Sequence, residues 1–311
     1  MTSAPSQHVA VIGAGAIGGV VAAFLAAETR HEVTVCLRPP SAGGTPINRL
    51  VVRRADGSEV VANPRFVSHP DDLAGVGVGA AADVVLLATK AYQSEAARPW
   101  LDRLCRPGTV VAVCQNGIDQ VERVQPLVPR ATVIAVVVHL AADRVAPDQI
   151  RQASPANFIV PDNEAGRAVA ALAEGSSLRF KPSADFATAA WNKLLINAVV
   201  GAIGALTIRD ISVMGRHDVR AAALVLAEEV AAVGRAEGAD FAPDTAQRML
   251  DKIAGRAPGH LSSIAADRRD GRPLEWEARN AVVSRLGRRH GIPTPTNDLV
   301  TALLRACSAG E

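Results

Sequence analysis

The stretch HVAVIGAGAIGGVVAAFLAAE, His8–Glu28, decides the fold. HVAVI (8–12) is a short apolar run of the kind that forms a buried strand. AIGGVVAAFLAAE (16–28) reads as a helix packed by small residues. Between them Gly13-Ala14-Gly15-Ala16-Ile17-Gly18 matches G-x-G-x-x-G. Alone such a match is weak in a chain rich in glycine and alanine. Directly after a strand and opening a helix, it is a dinucleotide fingerprint rather than a plain Gly/Ala turn. Gly13 permits the tight turn and Gly15 the close approach of backbone to a pyrophosphate. Gly18 lets helix and strand pack closely, with the helix amino end facing the phosphates.

Reading outward, strand and helix patterns alternate. EVTVCLR (32–38) is a second strand, and LVVRRADGSEVVA (50–62) is a hairpin around Asp56-Gly57. ADVVLLAT (82–89), GTVVAVCQN (108–116), ATVIAVVVHLAA (131–142) and ANFIV (156–160) are further apolar strands. Apolar runs of this kind imply a mostly parallel sheet covered by helices. After about Lys181-Pro182 helical periodicity takes over, at 184–207, 217–236, 243–254, 260–269, 275–290 and 296–307. The expected class is therefore α/β: an amino-terminal Rossmann-type dinucleotide-binding domain over 1–183, then an all-helical domain over 184–311.

At the end of the second strand, a site for NAD usually carries an acidic residue to hold the ribose hydroxyls. Here Arg38 stands, twenty residues past Gly18. A guanidinium suits a 2′-phosphate, and a diol is left without its acceptor. A surface arginine opening a loop is the plain alternative; the position favours NADPH over NADH.

The bulk composition excludes several classes. The 311 residues include 33 basic and 31 acidic side chains, a formal net charge of +2, which gives no electrostatic case for nucleic acid or an anionic membrane. Arg268-Arg269 and Arg285–Arg289 read as solvated helix faces. Cys36, Cys105, Cys114 and Cys307 form no CxxC pair and no metal-like cluster with histidine, so no metal is expected. The polar start MTSAPSQ does not resemble a signal peptide, and the apolar run 131–138 is too short to span a bilayer. A soluble cytoplasmic protein is expected. Its oligomeric state is left open, with a homodimer among the options.

One stretch of the second half stands out: AAWNKLLINAVVGAIGALT, Ala189–Thr207. On this mostly apolar helix Lys193 and Asn197 share one face, four residues apart. A charge taken from water needs a partner.

In order along the chain stand GAGAIG, ATKAYQ (88–93), CQNGID (114–119), WNKLLIN (191–197) and HLSSIAADRRDGRPLEWEARN (260–280). Together these resemble the ketopantoate reductase family, the 2-dehydropantoate 2-reductases, from His8 to about Leu303. The resemblance implies NADPH-dependent reduction of a small 2-oxo acid, 2-dehydropantoate (ketopantoate), to the 2-hydroxy acid pantoate. Lys193 falls on the family's catalytic lysine, the proton donor to the substrate oxygen, and Asn197 on a substrate-binding asparagine. Ser263 aligns with the serine that holds substrate at its carboxylate, and Glu275 with the active-site glutamate near cofactor and substrate. Lys90 and Asn116 match positions lining the cofactor site, Asn116 also facing substrate. Arg38 matches the arginine that selects NADPH; Ala141, after His139, is a looser match on the cofactor side.

The chemistry agrees with those roles. Hydride arriving at a ketone carbon pushes negative charge onto the oxygen, and an acid within hydrogen-bond reach must neutralise it. A lysine in an apolar wall suits this, since partial desolvation favours release of its proton; a nearby carboxylate, with Glu275 the candidate, opposes that shift. From composition alone Lys193 would be a lysine snorkelling past the domain rim. The Trp-x-Lys-x-x-x-Asn pattern and the downstream Glu275 reverse that reading. Glu277 reads as an exposed or structural carboxylate, His139, at the end of an apolar strand, as a satisfied cleft residue with lining of the nicotinamide pocket as the alternative, and Trp191 and Trp276 as packing residues.

The departures from the family pattern lie on the substrate side. Gly201 stands where a second asparagine is common, Ile211 near where a further one falls, and His260 around an asparagine that often precedes the serine pair. These replacements point to a reshaped, roomier and more apolar pocket. Three readings follow: a ketopantoate reductase, a paralogous NADPH-dependent reductase of a more apolar 2-oxo acid or carbonyl, and a non-catalytic NADPH sensor. A sensor needs none of Lys193, Asn197, Ser263 and Glu275.

Overall fold

The structure, a computed structural model, describes residues 5–38, 47–75, 81–255, 259 and 261–309. It divides into two compact units, Met1–Gln115 with Gln120–Phe186, and Asn116–Asp119 with Ala187–Glu311. Among its described residues the first holds thirteen strands: β1 His8–Ile12, β2 Glu32–Cys36, β3 Leu50–Arg53, β4 Glu59–Ala62, β5 Arg65–Val67, β6 Val84–Leu87, β7 Val110–Val113, β8 Thr132–Ala135, β9 Val137–His139, β10 Ala142–Ala146, β11 Gln149–Gln152, β12 Asn157–Pro161 and β13 Arg179–Ser183. Its helices are α1 Ala16–Glu28, α2 Arg98–Leu104, α3 Gln120–Val124 and α4 Glu164–Ala171.

Six strands form one parallel sheet in the order β5-β2-β1-β6-β7-β8. Strand order reverses beside β1, where β1 and β6 run side by side with Ile12 opposite Leu87. In doubly wound sheets the carboxyl ends at this reversal form the ligand crevice. Both faces are buried: Val9, Val11, Val84 and Leu86 pack with α1, and Ala10, Ile12, Val85 and Leu87 pack with Trp100, Leu101 and Leu104 of α2. A smaller sheet, β10-β11-β3-β4, packs on α1, and a third runs β13-β12-β9.

The turn at β1–α1 depends on missing side chains. Gly13 has φ +96°, a left-handed conformation that favours glycine. A Cβ on Gly18 would lie 2.0 Å from the Gly13 carbonyl oxygen, whereas one on Gly19 would meet the Ile150 Cδ1 methyl at 2.3 Å. Backbone cannot yield as a terminal methyl can. Gly18→Ala is therefore expected to destabilise the protein by about 1–3 kcal/mol, the range for overpacking, and Gly19→Ala by less. Denaturant midpoints of the two variants check the order; an equal loss would contradict it.

The sequence expectations hold for β1, β2, β6, β7 and the β3–β4 hairpin. Three points are corrected. The run 131–142 is not one strand: β8 pairs with β7, while β9 pairs antiparallel with β12. The second strand stops at Cys36 instead of running to Arg38. Strands β5, β10, β11 and β13 were not anticipated, and Pro182 sits inside β13 opposite Val160. That strand is the edge of its sheet, where a missing N–H is tolerated.

The second unit is helical: α5 Phe186–Ile196, α6 Ala202–Thr207, α7 His217–Ala236, α8 Thr245–Ala254, α9 Ser263–Arg269, α10 Val282–His290 and α11 Pro295–Ala306. The span Phe186–Thr207 has the length and apolarity to cross a membrane, but 61% of its most apolar window is buried inside the protein. Trp191, Leu194, Leu195, Ala198 and Val199 join Leu226, Val230, Phe241, Val283 and Leu286 in the core, so this is a core helix. Gly291 closes α10 in the left-handed conformation. Two short π-helical segments interrupt the bundle, Asn197–Gly201 after α5 and Glu277–Ala281 before α10. Insertions of this kind often occur at functional sites. Cys36 and Cys114 are buried, and burial pushes both thiols up to about 12, which leaves them as inert small hydrophobes.

Candidate active site

In the first unit, Gly15 is the N-cap of α1, in an extended conformation and with no side-chain cap. A Cβ built on Gly15 would meet nothing within 4 Å. One on Gly13 would approach Thr89 Cγ2 to 3.0 Å, so GAGAIG and the ATK turn after β6 lie together at the strand reversal. Ala14 is buried, while Ala16 and Ile17 open the helix. Uncapped helix amides beside open space and no acidic residue in the first turn form a cradle for an anion. The residues fit a dinucleotide phosphate.

Arg38 is exposed just past β2 and lines a surface cleft of about 530 Å³ with Leu37, Ser68 and His69. Lys90 is half-buried, and its carbonyl accepts from Gln115 Nε2 at 3.3 Å. Gln115, 4% exposed, also donates to Thr89 Oγ1 at 3.0 Å and accepts from Ser94 Oγ at 3.0 Å and Arg123 Nη2 at 3.1 Å. It ties together the ends of β6 and β7, a role that the sequence reading missed. Ala141 is exposed before β10; its N–H donates to Ser154 Oγ at 2.8 Å and its carbonyl accepts from Ala153 N at 2.8 Å. His139 and Glu277 are both exposed.

In the second unit, Asn197, Asn116, Glu275 and Ser263 join one network. Asn197 Nδ2 donates to Asn116 Oδ1 at 3.2 Å, and Asn116 Nδ2 donates to Glu275 Oε2 at 2.9 Å. Ionised Glu275 is acceptor-only, so it fixes the direction of the chain. Asn116 must turn its amide nitrogen to the carboxylate and its oxygen to Asn197. Asn197 must then turn its nitrogen to Asn116, which leaves its own oxygen as the acceptor on its other side. Lys193 is half-buried on α5 one turn before Asn197.

The network continues through a residue that the sequence reading did not select. Arg279 Nη2 lies 3.4 Å from Glu275 Oε2 and donates to Ser263 Oγ at 2.9 Å. Glu275 and Arg279 are 2% and 1% exposed, an ion pair one helical turn apart and sealed from water. Such pairs seldom add stability relative to apolar packing, because desolvation costs about as much as the attraction returns. Ser263 is exposed at the start of α9, while its neighbour Ser262 caps that helix by accepting from Ala265 N at 3.3 Å. A Cβ on Gly201 would stand 3.2 Å from Arg279 Nη1. Gly201 thus lies between a buried cation and the Ile264 Cγ2 methyl, which the same Cβ would approach to 3.4 Å. Ile211 is half-buried and packs on the apolar core, and His260 lies outside the described residues.

The model of the family described as "Ketopantoate reductase PanE/ApbA" matches residues 9–165, and that of its carboxy-terminal domain matches residues 185–308. The chain belongs to the ketopantoate reductase family. It is an oxidoreductase, in a family of dinucleotide-dependent reductases. A 2-dehydropantoate 2-reductase of Caulobacter vibrioides is 39% identical over 96% of this chain and 99% of its own length. One of Mycobacterium tuberculosis is 38% identical over 97% of this chain and 98% of its own. A crystal structure of a family member from Ralstonia eutropha superposes with a TM-score of 0.85 at 27% identity, covering 97% of this chain and 98% of that one.

Proposed function

We propose that this chain reduces 2-dehydropantoate to pantoate with NADPH. The observation that carries the reading is the chain of hydrogen bonds from Asn197 through Asn116, Glu275 and Arg279 to Ser263, with Lys193 one turn from its first member. NADPH supplies a hydride to the ketone carbon when bound. Gly13, Ala14, Gly15, Ala16, Ile17 and Gly18 with the amino end of α1 hold its pyrophosphate, and Arg38 holds its 2′-phosphate. Lys90, Asn116, Ala141 and Glu275 complete the cofactor contacts.

Lys193 donates a proton from Nζ to the ketone oxygen as negative charge builds there. The Asn197 side-chain oxygen, fixed outward by Asn116, accepts from the Lys193 ammonium or from a substrate hydroxyl. Ser263 holds the substrate carboxylate. Glu275 keeps both asparagines in one orientation. The hydrogen bonds among Asn197, Asn116, Glu275, Arg279 and Ser263 form without substrate, which supports a site that need not reorganise during the reaction.

Gly201 and Ile211, in place of amides, favour a second reading, in which the physiological substrate is another 2-oxo acid. The experiment follows nicotinamide absorbance with purified protein, NADPH, ketopantoate and a panel of other 2-oxo acids. Ketopantoate is expected to be turned over with the highest kcat/KM. A different acid reduced faster selects the second reading, and NADPH binding without turnover of any acid rejects both.

A further inference from the structure

We infer that Arg279 is a positioning residue for substrate selection, holding the Ser263 hydroxyl as a donor to a substrate carboxylate. The inference rests on the 2-oxo acid reading above and adds to it a residue and a mechanism of selection.

A guanidinium has five N–H donors and no acceptor. When Arg279 Nη2 donates to Ser263 Oγ at 2.9 Å, the hydroxyl cannot donate back. Its hydrogen must point elsewhere, and Ser263 is exposed, so the hydrogen is offered to whatever binds there. A hydroxyl whose oxygen already accepts from a cation is a stronger donor, since hydrogen bonds in series polarise one another. The best acceptor for it is an anion, because hydrogen bonds to charged groups are about twice as strong as neutral ones. A carboxylate meets this requirement better than its ester.

Four further observations bear on Arg279 in this task. Glu275, one turn earlier, lies 3.4 Å from the same Nη2 and anchors it. Gly201 leaves room for the guanidinium, since a Cβ there would stand 3.2 Å from Nη1. Arg279 is 1% exposed, so it touches no ligand itself and acts through Ser263. Nε of Arg279 is buried with no hydrogen-bond partner among the described residues, a cost that packing alone does not explain.

The test compares dissociation constants of 3-methyl-2-oxobutanoate and its methyl ester for the protein loaded with NADP⁺, by calorimetry. Wild type is expected to prefer the acid. Ser263→Ala and Arg279→Met are each expected to lower that preference about 10- to 100-fold, the worth of a hydrogen bond to a charged group. The double variant should fall no further than Ser263→Ala alone, because both substitutions break one linkage. Arg279→Lys restores a cation beside Glu275 without the planar fork and is expected to recover part of the preference. It also serves as the test variant where Arg279→Met does not fold, its preference then lying between those of wild type and Ser263→Ala. Variants at Arg279 that keep the wild-type preference, or losses that multiply in the double variant, overturn the inference and leave the proposed reaction standing. Failure of wild type to bind the acid, together with no turnover of any 2-oxo acid, rejects the reaction itself and this inference with it.

Discussion

Lys193→Ala is expected to lower turnover about 10²- to 10⁴-fold, the range for a lost general acid, with NADPH affinity close to that of wild type. Lys193 lies on α5, in the unit that also holds Asn116, Asn197, Ser263 and Glu275, while the glycine turn and Arg38 lie in the other unit. Under the proposed mechanism, removing its ammonium strikes at the ketone oxygen and spares the phosphates. Fluorescence titration of NADPH and single-turnover kinetics separate the two effects. Lys193→Arg then distinguishes proton transfer from charge alone. An arginine keeps the positive charge but holds its proton too tightly to give it up. If Lys193 is the acid, Lys193→Arg stays within about tenfold of the alanine variant, since a misplaced charge returns little of the lost stabilisation. A lysine-to-arginine variant running near the wild-type rate would show that charge alone suffices, and near-wild-type turnover of Lys193→Ala would remove the residue from the mechanism altogether.

The parts of the fold that could be read from sequence are those where one local signal has one cause. HVAVI followed by GAGAIG is such a case: the strand is buried on both faces, and Gly13 is required by its φ of +96°. The run 131–142 is the opposite case. It is apolar throughout, and nothing in its composition marks Val136 as the place where the chain leaves one sheet for another. Strands β5 (RFV), β11 (QIRQ) and β13 (RFKPS) are short and carry charged or polar residues, so they form by pairing with neighbours remote in sequence. The two π-helical segments leave no trace in a pattern read at helical periodicity.

The candidate site was legible from the residues themselves where polar side chains interrupt an apolar helix, as at Lys193 and Asn197, whereas Asn116 and Ser263 came through the family resemblance. Arg279 escaped because a lone arginine on a helix near the basic stretch Arg285–Arg289 reads as solvated surface. A signal was present. Glu275 precedes it by one turn, and Ala278, Asn280, Val282 and Val283 around it are all buried. An opposite-charge pair on an otherwise buried helix face points inward.

The proposed preference for NADPH gives the second large effect. Arg38→Asp is expected to weaken NADPH binding about 10²- to 10³-fold, while NADH binding holds or improves. The estimate adds the loss of charge-assisted bonds to the 2′-phosphate, about 1.5–3 kcal/mol each, to repulsion by the new carboxylate. An aspartate at the end of the second strand also supplies the acceptor that a ribose diol needs, so the same substitution that repels one cofactor suits the other. Exposure of Arg38 adds a second check. An exposed ion pair is screened by salt, over a Debye length of about 10 Å at 0.1 M. The wild-type preference for NADPH should therefore shrink as ionic strength rises, and the reversed preference of the variant should shrink with it. Binding constants for both cofactors, measured for both proteins at low and high salt, test the two expectations together. Equal losses of NADPH and NADH in the variant would assign Arg38 to the shape of the turn and leave the 2′-phosphate to another group.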